Sequence, residues 1–234
     1  MIPISDDNPT RRRPIVNWVV VASCVLVYLV QISLTEDQHD AALGAFAFVP
    51  VSVFGSSGDS TAFPFPDWAW LTLITSMFMH GGLLHLGGNM LYLWIFGNNV
   101  EDAMGHGRYF VFYLLVGIAA TAAEGLMDPS STIPVIGASG AISGVLAAYV
   151  LVFPRARVTV VVPLGVLLYP MKISAIFVVG FWFVLQLMSA AMANPGEPGV
   201  AWWAHIGGFI AGAILIPFFS QYPLFGRRRL GPWG

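Results

Sequence analysis

The sequence predicts an all-α polytopic membrane protein, six transmembrane helices in one bundle with both termini in the cytoplasm. Three observations carry this. Of 234 residues, 57% are hydrophobic and 9% charged, with a mean hydropathy of +0.76, whereas soluble domains carry roughly 25% charged residues. Six apolar segments approach or reach the length of about 20 residues that crosses a bilayer. With six crossings, all ten Lys and Arg residues fall on one face, which the positive-inside rule makes cytoplasmic. The net charge of −2 and the few basic residues exclude nucleic acid as a partner; the partner is the lipid bilayer.

Residues 1–14 form a polar cytoplasmic tail ending in Arg11-Arg12-Arg13. The apolar run behind it is longer than the roughly 7–15 residues of a secretion signal, and no small-x-small cleavage site follows. It is therefore expected to stay as span 1, about 15–33. The loop 34–68 holds Glu36, Asp37, Asp40, Asp59 and Asp67 without Lys or Arg, so it lies outside. Within it, Ala41 to Phe54 is apolar but too short to cross, which predicts a segment lying in the headgroup region. Phe63-Pro64-Phe65-Pro66-Asp67-Trp68-Ala69-Trp70 marks a water–lipid boundary. Span 2 is about 82–99, and Glu101, Asp102 and Arg108 make the next turn. Span 3 is about 109–126, with Glu124 and Asp128 expected as solvated residues at its outer end.

Span 4 is about 137–153, closed by Pro154-Arg155-Ala156-Arg157. Val158 to Tyr169 is apolar, β-branched and interrupted by Pro163. A seventh crossing there would strand Lys172 outside, so 158–170 is expected to be a loop on the cytoplasmic face. Span 5 is about 173–192, the Pro/Gly-rich loop near 194–199 is an outer turn, and span 6 is about 200–219. The membrane domain is thus 15–219, and 220–234 is a cytoplasmic tail with Arg227-Arg228-Arg229. The single cysteine, Cys24, lies in span 1 and is expected to be a buried small hydrophobe. No cofactor and no metal site is expected.

Polar residues inside spans are costly and usually face a cavity or a partner. Ser139 lies in the first turn of span 4. His205 lies about five residues into span 6, roughly 7–8 Å down at 1.5 Å per residue. His85 and Asn89 in span 2 stand four residues apart and share a helix face. All three spans enter from outside, so these residues meet in one outer-leaflet layer. Gly137, Gly140 and Gly144 along span 4, and Gly208 and Gly212 after His205, form small-xxx-small patterns that let backbones approach closely. A serine hydroxyl and an imidazole from different helices need that approach to come within about 3 Å. The chemistry this predicts is nucleophilic: His205 takes the Ser139 proton and later protonates a leaving amine. The Ser139 N–H at a helix N-terminus, with the His85 and Asn89 side chains, would stabilise the oxyanion. No acidic residue is placed to orient His205, so the pair is a dyad. The Gly-x-Ser-x-Gly elbow is not matched, because residue 141 is alanine.

At these residues the chain resembles the rhomboid family of intramembrane serine proteases. Gly137-Ala138-Ser139-Gly140 matches the family's Gly-x-Ser-Gly. Ala204-His205-Ile206-Gly207-Gly208-Phe209-Ile210-Ala211-Gly212 matches its Ala-His-x-x-Gly-x-x-x-Gly, and His80 to Asn89 its His-x4-His-x3-Asn. Glu101 and Arg108 match a Glu and a downstream basic residue after span 2. The resemblance covers about 15–219. It implies a six-helix, rhomboid-like bundle of the bacterial type with a water-filled cavity open to the outside. It implies a Ser139–His205 dyad, His85 and Asn89 at the oxyanion, and a structural His80. Loop 34–68 would lie partly immersed, loop 193–199 would cap the site, and span 5 would be the lateral gate. Substrates would be single-span membrane proteins, cut in or near the membrane at small residues, and the location the bacterial cytoplasmic membrane. Two positions depart from the family: Trp70-Leu71-Thr72 lacks the arginine of a Trp-Arg pair, and Ser143 stands where some members stack an aromatic on the histidine. The alternative of another class is a non-catalytic rhomboid-like protein that binds transmembrane clients. A small-solute transporter is disfavoured, since no inverted repeat is visible.

Overall fold

A computed structural model describes residues 2–55, 67–164, 167–194 and 199–225. Most of these are helical. Four helices are long and apolar enough to cross a membrane: α1 (Ile15–Ser33), α7 (His106–Met127), α9 (Ala175–Met192) and α10 (Trp202–Phe219). A fifth candidate is a bent pair, 69–78 and 83–104, turning by 81° at its break. Its first limb includes α4 (Thr72–Thr75), and its second runs through α5 (Leu83–Tyr92), a π-helical turn (Leu93–Gly97) and α6 (Asn98–Met104). The shorter apolar helix α8 (Ser139–Val152) stands among them. Expected spans 1, 3, 5 and 6 thus correspond to α1, α7, α9 and α10. This is an integral membrane protein.

The centre of the bundle is α8, where every residue from Gly140 to Val150 is buried. It packs on α7 and α10 through small residues. A methyl group at Gly208 would overlap the Gly140 carbonyl oxygen, and one at Gly212 would overlap the backbone of Gly144. The helices therefore meet backbone to backbone, a distance only glycine permits.

Polar side chains pin α1 to the bundle at both ends. Near its start the Glu101 carboxylate, fully buried, accepts the N–H groups of Val16 (3.0 Å) and Asn17 (2.8 Å). It thereby satisfies donors that a helix N-terminus leaves open. Asn17 donates to the Leu93 carbonyl at 2.9 Å and accepts from the Tyr109 hydroxyl at 2.9 Å. Gly97 admits it, since any side chain there would strike the Asn17 amide. At the other end Gln31 accepts from the His80 N–H (3.0 Å) and donates to the His80 carbonyl (3.3 Å). The expectation of a simple polar turn at Glu101, Asp102 and Arg108 is corrected. Glu101 and Asp102 are buried, and the side chain beside Glu101 is His106, whose Nδ1 lies at 2.5 Å.

The apolar stretch Ala41 to Phe54 packs on the helices through Ala47 to Val51, which are buried. It contains the end of α2 (Glu36–Phe46), which opens with a Thr35–Gln38 capping box, and α3 (Pro50–Phe54). Between them Phe48 is fully buried and exchanges backbone hydrogen bonds with Val135, 3.1 and 2.7 Å. Gly125 on α7 makes room for the Phe48 and Phe54 rings. Without the missing arginine, this region is tied back by the Thr75 hydroxyl on the Phe46 carbonyl, 2.7 Å. The boundary stretch Phe63 to Pro66 and Asp59 lie outside the described residues, as do most of loop 193–199 and the tail beyond 225.

The all-α expectation needs one addition. Residues 158–170 are not a loop: β2 (Arg157–Leu164) and β3 (Leu167–Ser174) form an antiparallel hairpin, and β1 (Ile2–Asp6), from the supposed polar tail, pairs antiparallel with β2. The physical reason is the β-branched alternation of β2. Val158 and Val160 face the bundle, fully buried, and Arg157 is exposed. β3 leads into α9 without a linker. Asp6 anchors the sheet, accepting from the Tyr149 hydroxyl at 2.5 Å and the Asn99 amide at 2.9 Å.

Two outcomes are expected. Gly208→Ala should push α10 off α8 and lower stability by about 1–3 kcal/mol, the usual cost of overpacking, read as a fall in Tm of the purified protein. The second concerns pH. Burial pushes the Asp6 carboxyl up from 3.8 to about 6, against the opposing pull of the Tyr149 hydrogen bond. The docked strand therefore favours the protonated acid. Docking of β1 should be firmest below pH 3.8 and weaken as pH rises through about 6. Amide exchange over residues 2–6, corrected for intrinsic rates, should show this loss in wild type and not in Asp6→Asn.

Candidate active site

Ser139 opens α8, so the first N–H groups of that helix have no acceptor within it. The residues before it hold the backbone in a form that favours glycine: Gly137 has φ +123°, and its N–H donates to the Ser76 carbonyl at 2.9 Å. A Cβ at Gly137 would lie 2.7 Å from His85 Nε2 and 3.7 Å from Asn89 Nδ2. These two side chains of α5 therefore flank the chain just ahead of Ser139.

His205, on the first turns of α10, is 8% exposed. Its Nε2 lies 2.8 Å from Ser139 Oγ, and its Nδ1 lies 2.7 Å from Gln186 Oε1 on α9. The Trp182 ring stands 5.8 Å from the imidazole and the Trp202 ring 6.0 Å, edge-on. Ser143 does not hold the histidine; its hydroxyl bonds the Ser139 carbonyl one turn back, 2.7 Å. The aromatic neighbours of His205 thus come from α9 and from its own helix.

Ser139, His205, His85 and Asn89 line one cavity of about 900 Å³. Asn89 is 8% exposed, yet its Nδ2 has no hydrogen-bond partner. Buried donors are nearly always paired, and this unpaired one belongs to a residue of the cavity lining. His85 Nδ1 accepts from the Gly81 N–H at 3.3 Å, which leaves the ring proton on Nε2. Two donors from one helix face thus stand beside the serine. His80 is 1% exposed, with Nδ1 on the Phe78 carbonyl at 3.3 Å and its ring 5.1 Å from that of His85.

Glu124 corrects a sequence expectation. It is not a solvated end residue: its carboxylate accepts the Ala204 N–H at 2.8 Å and so caps α10. This carboxyl group lies at the foot of the helix that carries His205, and the acceptor on the imidazole itself is the neutral Gln186. Gln186 was missed in the sequence. The available signal was a lone amide in an apolar span, in register with the buried face of α9 (Ala175, Val179, Gln186, Ala190).

Fold and site together define a helical membrane protein in which a serine and a histidine from two tightly packed helices meet at a cavity. Residues 67–222 match the Rhomboid domain, and the chain belongs to the rhomboid family. It is 34% identical over 163 residues to rhomboid protease GluP of Bacillus subtilis (strain 168), covering 69% of this chain and 29% of that protein. It is 27% identical over 202 residues to rhomboid protease GlpG of Salmonella choleraesuis (strain SC-B67), covering 86% and 61%. It is 29% identical over 165 residues to the chloroplastic rhomboid-like protein 11 of Arabidopsis thaliana, covering 66% and 54%. The match thus spans between 29% and 61% of the length of these relatives.

Replacing Glu124 with alanine should leave the α10 N-terminus uncapped and cost about 0.5–2 kcal/mol, measured as a lower Tm. Glu124→Gln, which keeps an acceptor oxygen, should lose less.

Proposed function

We propose that the protein is an intramembrane serine endopeptidase that cleaves single-span membrane proteins in or near their transmembrane segments. The observation that carries this reading is the 2.8 Å approach of Ser139 Oγ to His205 Nε2 on the wall of a cavity that also holds the unpaired Asn89 amide. His205 Nε2 takes the proton as Ser139 Oγ attacks the carbonyl carbon of the scissile bond. The carbonyl oxygen becomes an oxyanion facing the His85 Nε2–H, the Asn89 amide and the Ser139 N–H. Collapse breaks the C–N bond, and the imidazolium gives its proton to the leaving amine. Water, deprotonated by the same nitrogen, then hydrolyses the acyl-enzyme.

The bundle is read as six spans, with the bent pair's second limb as the second and α8 as the fourth, and with both termini in the cytoplasm. At 14 residues, α8 is about 21 Å long, shorter than a hydrocarbon core of about 30 Å. Ser139 is then sunk below the surface, and the cavity opens on the extracytoplasmic side of the bacterial plasma membrane. In a sheltered site, water for the second step has to come through that cavity. The relatives named as rhomboid proteases support the reaction class.

Ser139→Ala and His205→Ala are expected to abolish cleavage of a model single-span substrate while the protein still inserts and elutes as wild type. Asn89→Ala should slow it by about one to three orders of magnitude, the usual loss for one oxyanion donor. Cleavage by purified Ser139→Ala at the wild-type rate would end the reading of Ser139 as nucleophile, and a wild type that binds but never cleaves would leave a protein that only binds transmembrane clients.

A further inference from the structure

We infer that Gln186 is the positioning residue of the dyad, selecting by one hydrogen bond the imidazole tautomer that can act as base. The inference rests on the protease reading above and concerns how its base is held. Gln186 is 5% exposed and sits on the buried face of α9. Its Nε2 donates to the Trp182 carbonyl one turn back at 3.1 Å. That bond orients the amide, because the flipped form would set oxygen against oxygen there. Oε1 is then the atom that faces His205 Nδ1, at 2.7 Å.

An amide oxygen can only accept, so Nδ1 carries the proton. A neutral imidazole holds one ring proton, so Nε2 is left with its lone pair toward Ser139 Oγ, 2.8 Å away. The other tautomer would place N–H against the hydroxyl and could not take its proton. The Trp182 and Trp202 rings restrict the ring plane, but neither indole ring has an acceptor that could choose the tautomer. The other titratable groups lining the cavity are His85, Tyr92, Glu124 and Asp128. Glu124 is turned to the Ala204 N–H, and Asp128 accepts from the Ser130 hydroxyl at 2.9 Å. Nucleophile, base and positioning residue are therefore held by three helices, α8, α9 and α10, and the oxyanion donors by α5.

The test is the rate at which a fluorophosphonate labels the purified full-length protein, followed against pH for wild type, Gln186→Leu, Gln186→Glu and Ser139→Ala. Wild type should label and Ser139→Ala should not. Gln186→Leu removes the acceptor and should label about 100-fold more slowly, within the range of general-base contributions. Gln186→Glu keeps an oxygen on Nδ1 and should recover most of that loss above neutral pH. Its carboxylate also stabilises the imidazolium, so the pH of half-maximal rate should move upward. A side chain needed only for packing could be replaced by the near-isosteric glutamate without any pH shift. Gln186→Leu labelling at the wild-type rate with the wild-type profile would overturn the assignment. If that variant fails to fold, an unshifted profile in Gln186→Glu does so. Wild type that never labels would instead remove the protease reading, and this inference with it.

Discussion

The contact on which the rest depends is the backbone-to-backbone packing of α8 against α10. Gly140 and Gly144 face Gly208 and Gly212 so closely that a single methyl group would strike main-chain atoms. Lipid offers no hydrophobic drive to bring two apolar helices together, so association relies on close van der Waals fit. That fit sets the spacing of everything the helices carry, and Ser139 and His205 sit at the corresponding ends of the two. Their 2.8 Å separation follows from the glycine seam.

Around this seam, polar side chains act as latches. Asn17, Gln31, Glu101 and Gln186 are each at most 5% exposed, and each joins elements distant in sequence. Burying such groups is costly unless they are bonded, so each fixes a register as well as a contact. Of the buried side-chain atoms without a hydrogen-bond partner, which include His80 Nε2 and the Tyr113 hydroxyl, Asn89 Nδ2 is the exception that belongs to the cavity lining. An open donor is tolerable where a ligand oxygen is to be received, and its place on the cavity beside Ser139 gives the exception a chemical meaning.

Several features were legible in the chain because they depend on local periodicity and on counts. The apolar runs outlined α1, α7, α9 and α10, and the small-residue spacings foretold the glycine seam. The β-branched run from Val158 is visible in the sequence but its strand partners are not, because strand pairing is a long-range matter. Its partners lie in β3 and in β1, more than 150 residues upstream. The role of Glu124 is not legible locally, because a carboxylate near a span end resembles a solvated one unless the N-terminus of another helix lies against it.

By itself the sequence determined the membrane class, the helical periods and the residue types able to do nucleophilic chemistry, since these follow from composition and from rise and turn per residue. Tertiary structure alone decided the contacts themselves: the 2.8 Å between Ser139 Oγ and His205 Nε2, the turn of Ser143 back to its own helix, and a glutamine on α9 at the imidazole's far nitrogen. The reason is geometric. A hydrogen bond is made or lost over a few tenths of an ångström, and that distance is set by how helices far apart in the chain pack together, which no local pattern encodes.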